Sequence, residues 1–445
     1  MDWRHTVDEL AGVIGAASPA AGATAFGRVS TDTRRLEPGD VFFALKGERF
    51  DGNRFVGEAF ARGAAAAVTT ADHDGGTCLV VDDPLDALQH FAAFHRAQYD
   101  VPVIALTGSC GKTTAKDLIA AVLGTRYTVA KTPGNLNNDI GCPLSLLEIG
   151  DKTDVAVIEM GANHTGEIAA LCRLAQPNEA AITMVGPAHL EGFGTVENVA
   201  SAKAEIVEAL GPKGVFYVNV DDPWCRHIAE RFSGQQVRLG SSGEVVLEAC
   251  AFTGPGEMRL DIAPVGELRL PLACRAHAVN VLLAVAVGLR HGVREFQRPL
   301  RKACGDLARF KVVVIGPLVV IDDTYNANPA SMAAALEALA EWPGQGTRMA
   351  ALGEMLELGD AAAGLHRDVG ERAAQLGVSH LLATGPHARD VVAAAEGVQA
   401  EVIDDPQAIA QAVYRLARPG DMLLVKGSRG MRMERVIEAL RELYA

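Results

Sequence analysis

The octet TGSCGKTT at residues 107–114 sets two glycines, a lysine and several hydroxyls in one short loop. Those residue types at that spacing suit phosphate binding: glycines let backbone N–H groups converge on an anion, and a lysine reaches its oxygens. A neighbouring hydroxyl can ligate Mg2+. The commoner loop, G-x-x-x-x-G-K-[ST], would need glycine at position 106, where the chain has Leu106. The shorter spacing keeps the chemistry. Gly108 and Gly111 can still turn N–H groups inward, Lys112 can still reach the β- and γ-phosphates, and Thr113 can still meet a metal ion. Ser109, Cys110 and Thr114 belong to the same nucleotide cradle.

Three further groups follow. AVIEMGANHTGEI ends an apolar run on Glu159 and continues through Gly161, Asn163 and His164. A carboxylate at such a strand end suits magnesium, which prefers oxygen ligands; a glutamate merely facing solvent is the other reading. VGPAHLEGFG supplies His189, which on these grounds is a ligand or a structural histidine. Lys203, in NVASAKAEIVEAL, reads from its neighbours as a surface lysine on an amphipathic helix.

These side chains need rigid supports. VPVIAL before the octet and AKDLIAAVLG after it predict strand, loop and helix, so that a helix N-terminus adds to the phosphate site. Alternation continues through DVAVIEM, EAAITMVG and GVFYVNVDD, which predicts a parallel sheet covered on both faces. Residues 1–97 have a different texture, short apolar runs between glycine-bearing turns, with strands expected near 41–45 and 65–68. From about Gly316 a second series of βα units begins with LVVIDD, RMAALGEM, HLLATG and DMLLVKGS, a Rossmann-like pattern without G-x-G-x-x-G. The expected division is 1–97, 98–310 and 311–445, all α/β, with the phosphate loop in the central domain.

With 445 residues, 49% hydrophobic and 22% charged, the chain is long enough for two or three ordinary globular domains. A formal net charge of −14 excludes a general nucleic-acid binder but not a small anionic ligand held locally. Eight scattered cysteines with no C-x-x-C pair give no support to structural zinc and suit reduced thiols in the cytoplasm. The first residues lack the plan of a signal peptide, and no apolar run approaches the ~18 residues of a membrane span.

Taken together the motifs resemble the Mur ligase family of ATP-dependent amide ligases, whose loop is T-G-[ST]-x-G-K-T. The likeness continues in KTPGNLNNDIGCPLSLL, IEMGANHTGEI, AHLEGFG, SAKAEI, IDDTYNANPASM, ALGEMLELG and LVKGSRGMRME. Within the family, GANHTGEI and DDTYNANP resemble the enzymes that add D-alanyl-D-alanine to UDP-N-acetylmuramoyl-tripeptide. D-N-P-R, typical of the diamino-acid-adding enzymes, does not occur here. Folylpolyglutamate synthetases share the loop but lack a segment like DTRRLEPGDVFFALKGERFDGNRF. A kinase or NTPase with a phosphate loop would account for the octet alone, and a silent scaffold would not need Lys112, Glu159, His189 and Lys203.

The resemblance implies roles. Thr113 and Glu159 would lie near one magnesium and His189 near a second, with Lys203 carrying a carbamate that supports the metal site. Asn280, Arg309, Asp323, Tyr325, Asn326 and Asn328 would contact ATP. Asn137 and Asn138 would lie near the nucleotide or the reacting groups, Asn163 and His164 would help bind substrate, and Thr31, Lys46, Gly47, Asp51 and Gly52 would face the uridine nucleotide. Lys112, Lys203, His189 and Glu159 would carry catalysis through an acyl phosphate, in a monomer whose domains close by hinging near 98 and 310. Two departures from the family pattern stand out. CRAHAVN places Ala276 where histidine is usual and His277 where asparagine is, and LARF places Ala308 where glycine is usual.

Overall fold

The computed structural model describes residues 4–16, 23–47, 50–307 and 309–445, which form three larger sheets and two two-stranded ribbons. The central sheet has nine strands. Along it run Val129–Lys131, Val155–Glu159, Val103–Thr107, Glu179–Ile182, Val215–Asn219, Gln235–Gly240, Val245–Gly254, Glu257–Ala263 and Gly266–Leu270. Every pairing up to Val245–Gly254 is parallel. The chain enters at Val103–Thr107, adds two strands on one side and then builds out on the other. That reversal opens a crevice at the carboxyl ends of the strands, and the octet and Glu159 both sit there. Pairing of Glu159 with Leu106 sets the carboxylate level with the start of the loop.

The last two strands, Glu257–Ala263 and Gly266–Leu270, are antiparallel, an extension that the expectation of a parallel sheet did not include. Its signal was legible: EMRLDIA alternates, burying Met258, Leu260 and Ile262 while Arg259 stays exposed. The third sheet runs Lys311–Ile315, Leu318–Asp323, Met422–Lys426, Arg348–Leu352, His380–Ala383 and Gln399–Val402. Only its first pair is antiparallel. The first sheet is small and parallel, with Val29–Ser30, Val41–Phe43, Ala66–Thr69 and Cys78–Val80 in chain order. Its middle strands fall where the sequence placed them, shifted by a residue or two at their ends.

Helix Lys112–Leu123 begins within the octet and continues because its apolar residues Ala115, Leu118, Ile119 and Val122 recur on one face. That face packs on Val281, Leu282 and Val285 of the helix Ala278–Arg290, which is apolar nearly all round and therefore buried. On the other side of the sheet one core cluster runs without a break from Val7, Val41 and Phe91 to Val103, Ile158 and Ile206. Residues 97 and 98, themselves exposed, therefore fall between two stretches of chain that share one hydrophobic core.

One lysine of the loop helix is structural. Lys116 is buried, and its Nζ donates to the carbonyls of Thr132 at 2.9 Å and Gly134 at 2.7 Å, tying the helix to the loop that carries Asn137. Lys116→Met would leave both carbonyls without that donor. We expect a loss of about 1–3 kcal/mol in unfolding free energy, read from the urea midpoint; an unchanged midpoint would show that water serves the carbonyls equally well.

Candidate active site

A cavity of about 430 Å³ lies between the carboxyl ends of the central strands and the third domain. The loop forms its floor. Gly108 has φ +147° and Gly111 φ +87°, both in the region that favours glycine. A Cβ on Gly108 would fall 1.9 Å from Thr183 Oγ1, and one on Gly111 2.8 Å from Asn280 Oδ1, so side chains are excluded at both points. Gly111 precedes the helix, whose first N–H groups have no intrahelical partner and point at the cavity end. Ser109 uses its hydroxyl to bind the Gly186 carbonyl at 2.8 Å, which fixes the loop to the neighbouring strand end. Cys110 and Thr114 line the wall, with the Cys110 carbonyl held by Thr183 Oγ1 at 2.5 Å. Lys112 folds back so that its Nζ donates to Gly108 O at 2.7 Å. Burial lowers its pKa, opposed by Glu159 and reinforced by Arg309.

Glu159 is 1% exposed. Its Oε1 accepts from Asn137 Nδ2 at 2.7 Å and from Thr113 Oγ1 at 3.2 Å, while Oε2 is buried with no hydrogen-bond partner. A buried carboxylate oxygen left open beside a threonine hydroxyl fits a hard cation that takes oxygen ligands. Asn138 also lines the cavity, although its Oδ1 caps Gly141 N at 2.8 Å. Asn163 stands at the rim.

Lys203 corrects the residue-by-residue reading of a surface lysine. It is 2% exposed on helix Val196–Glu208, and burial, then the nearby charge of Lys112, lower its pKa to about 7. An amphipathic helix hides which of its lysines faces inward until the packing partner is known. His189 lines the cavity, and its Nδ1 lies 2.5 Å from Glu357 Oε2 of the third domain. Burial lowers the His189 pKa, with Glu357 opposing and Lys112 adding to the shift.

The third domain supplies the opposite wall. The Arg309 guanidinium lies 4.2 Å over the Tyr325 ring and reaches within 3.5 Å of Thr113 Oγ1. Asp323 forms a buried ion pair with Lys426, whose Nζ also donates to Asn326 O at 2.8 Å. Asn328 caps helix Pro329–Glu341 through Oδ1 and donates from Nδ2 to Ser109 O at 3.2 Å, a direct tie to the loop. The altered CRAHAVN stretch resolves into two positions. His277 lines the cavity with a buried, unpartnered Nδ1, its ring 5.1 Å from Phe310, and burial holds its pKa down to about 4. Asn280 lies beneath Gly111 with Oδ1 also unpartnered. Ala308 lies outside the described residues. Nearby it is Phe310, not Arg309, that takes the left-handed φ of +51°.

Some expected residues are elsewhere. His164 is exposed and turned onto Glu167, 3.0 Å from Oε1, so it does not line the cavity. Thr31, Lys46, Gly47, Asp51 and Gly52 lie on the first module, away from the loop. There Asp51 Oδ1 accepts from Asn53 Nδ2 at 2.9 Å and from Asn53 N at 3.0 Å, and that hydrogen bonding holds its carboxyl below the usual range. Beside it the exposed rings of Phe50 and Phe55 stack at 5.3 Å, a flat apolar platform that the sequence reading passed over. Lys426, Phe310, Asn135, Asp139 and Gln89 line the cavity as well and carried no expectation. The family-like string LVKGSRGMRME gives its lysine, Lys426, no role by itself.

Comparison with known proteins covers the whole chain. Residues 26–96 match the Mur ligase family catalytic domain, 106–288 the Mur ligase middle domain and 308–429 the Mur ligase glutamate ligase domain. The UDP-N-acetylmuramoyl-tripeptide–D-alanyl-D-alanine ligase of Bacillus subtilis (strain 168) is 34% identical, with 99% of each chain covered. A crystal structure of MurF from Acinetobacter baumannii superposes with a TM-score of 0.91 at 34% identity, again over 99% of both chains. The MurF ligase of Thermotoga maritima in complex with ADP gives 0.83 at 30% identity, over 93% of this chain and 97% of that one.

Lys112 stands in the loop with its Nζ on the Gly108 carbonyl, where the sequence expects it to meet phosphate. Lys112→Ala should leave the far-UV circular dichroism unchanged and lower ATP turnover by about 10²–10³-fold or more. Near-normal turnover would remove the loop from the reaction.

Proposed function

The chain belongs to the Mur ligase family, and we propose that it joins D-alanyl-D-alanine to UDP-N-acetylmuramoyl-tripeptide while converting ATP to ADP and phosphate. Likeness along the full length of the chain carries that reading. Among the described residues no helix is long and apolar enough to cross a membrane, which suits our proposal that it works in the cytoplasm on soluble nucleotide precursors.

The carboxylate that ends the tripeptide attacks the γ-phosphorus of ATP, ADP leaves, and an acyl phosphate forms. The amine nitrogen of D-alanyl-D-alanine then adds to the acyl carbon, phosphate departs with one carboxylate oxygen, and the nitrogen gives up its proton. Two anions must meet first, so positioning and charge neutralisation dominate. In this reading Lys112 leaves the Gly108 carbonyl for the phosphates, and the first-turn N–H groups of helix Lys112–Leu123 hold their oxygens. Arg309, braced on Tyr325, approaches from the third domain. His277 and Asn280 carry the unpartnered polar atoms nearest the adenine end, Asp323, Asn326 and Asn328 complete the nucleotide wall, and Asn137, Asn138 and Asn163 border the acyl side. Phe50 and Phe55 offer a face for the uracil ring beside Lys46 and Asp51.

Magnesium, when bound, would offset the phosphate charge and stabilise the transferring group. Thr113 Oγ1 and the open Glu159 Oε2 are the groups that would hold one ion, and His189 with Lys203 as its carbamate a second. A buried amine with a pKa near 7 has a large neutral fraction, the form that adds CO₂. We divide the labour as 1–97 for the UDP substrate, 98–310 for the nucleotide and 311–445 for closure. Because the core is continuous past residue 97, the closing hinge in this proposal lies near 310.

Phosphate release from ATP should require both UDP-tripeptide and D-alanyl-D-alanine; release indifferent to the dipeptide would favour another ligase of the family. Lys203→Ala should lose activity and regain part of it with short carboxylates such as formate or acetate. Full activity without additive would take Lys203 out of the site.

A further inference from the structure

Glu357 crosses from the third domain to His189, and the ligase reading leaves it without a role. Its carboxylate oxygen lies 2.5 Å from His189 Nδ1, and the Glu357 carbonyl accepts from Glu191 N at 3.1 Å. Both ends of this clip hold non-glycine residues in left-handed backbone, φ +53° at His189 and φ +64° at Glu357. Such conformations persist where the surroundings over-determine them, and here they aim two side chains at each other across a domain boundary.

The loop behind Glu357 is pinned residue by residue. Glu354, buried, accepts from His387 Nδ1 at 2.6 Å and His387 N at 3.1 Å. Met355 N donates to His366 Nε2 at 3.0 Å, and Leu356 N to Ser428 Oγ at 2.9 Å. Glu354, His366 and His387 are close enough to suggest a metal centre, but the His366 Nε2 lone pair is already taken by the Met355 N–H. Anchoring is what the trio does. The anchored loop holds out Glu357, itself 56% exposed, towards the central domain.

A half-exposed histidine–carboxylate contact of this kind adds little stability. Its effect is on geometry. An ionised carboxylate only accepts, so the proton sits on His189 Nδ1 and the lone pair on Nε2 is turned loose for the cavity. We propose that Glu357 is a positioning residue: by docking with the third domain it fixes the His189 tautomer and ring orientation, so that His189 is ready to serve the site only when that domain is in place. This rests on the reading of His189 as a site residue. Histidines that ligate metals commonly donate their other N–H to a carboxylate in this way, and loss of the partner typically lowers affinity or activity by about 10–100-fold.

The test reads the tautomer directly. In metal-free full-length protein labelled with ¹⁵N-histidine, the His189 resonances are identified by their loss in His189→Asn. Wild type should show a protonated Nδ1 and a bare Nε2, Glu357→Ala a mixture of tautomers, and Glu357→Gln, whose amide oxygen still accepts, the wild-type form. In ligation assays Glu357→Ala should lose about 10–100-fold in kcat with KM for UDP-tripeptide little changed, and Glu357→Gln should recover most of the loss. An unchanged His189 spectrum in Glu357→Ala would overturn the proposal, and so would a changed spectrum with full kcat. Wild-type enzyme without ligation would instead refute the ligase reading, and the spectra would still decide whether Glu357 sets the tautomer.

Discussion

The buried Glu159 carboxylate is the constraint around which the rest is arranged. An unpaired carboxylate oxygen out of water is costly, by about 1–3 kcal/mol or more, and would be lost to a rotamer change if its surroundings allowed one. They do not. Its backbone N–H is held by Thr132 Oγ1 at 2.9 Å, its other oxygen is shared by Asn137 and Thr113, and strand pairing with Leu106 fixes its height in the sheet. Lys116 secures the loop that brings Asn137, and the helix bearing Thr113 is pressed down by the apolar helix Ala278–Arg290. Much of the central domain can be read as the means of keeping one oxygen in place and open.

Charge in the cavity is organised against the overall balance of the chain. The protein carries −14, yet Lys112, Arg309 and Lys426 line one small cavity, and Lys203 is buried close to Lys112. Lys426 is matched by Asp323, but burial lowers the basicity of Lys112 and of Lys203, with Arg309 adding to the shift at Lys112 and Lys112 adding to that at Lys203. An anion entering between them would reverse that penalty and draw both towards their charged forms. An anion bound there would therefore complete the electrostatics of the cavity as well as fill it.

Parts of this were legible in the chain itself. TGSCGKTT, the strand before it and the strand-end Glu159 announce themselves because each is local: type, spacing and period are all within a dozen residues. Contacts made across domains leave no such trace. Glu357 and Lys426 belong to strings that look family-like, yet their partners His189 and Asp323 lie more than a hundred residues away, so only the folded chain joins them. Lys203 was hidden for a related reason, since burial of one helix face depends on what packs against it. The antiparallel strands after Val245 alternate clearly and were overlooked in favour of the stronger βα rhythm.

The unbroken core that joins the first module to the central sheet has a consequence for synthesis on the ribosome. Val41 and Phe91 leave the exit tunnel early, whereas the same cluster is completed only by residues as late as Ile206 and Ala229. At ~5–20 residues per second the interval is on the order of ten seconds. Throughout it, apolar faces of the nascent module await surfaces not yet translated. The amino-terminal part of the chain should depend on chaperone cover during that interval, while the third domain, emerging last onto a finished scaffold, should not.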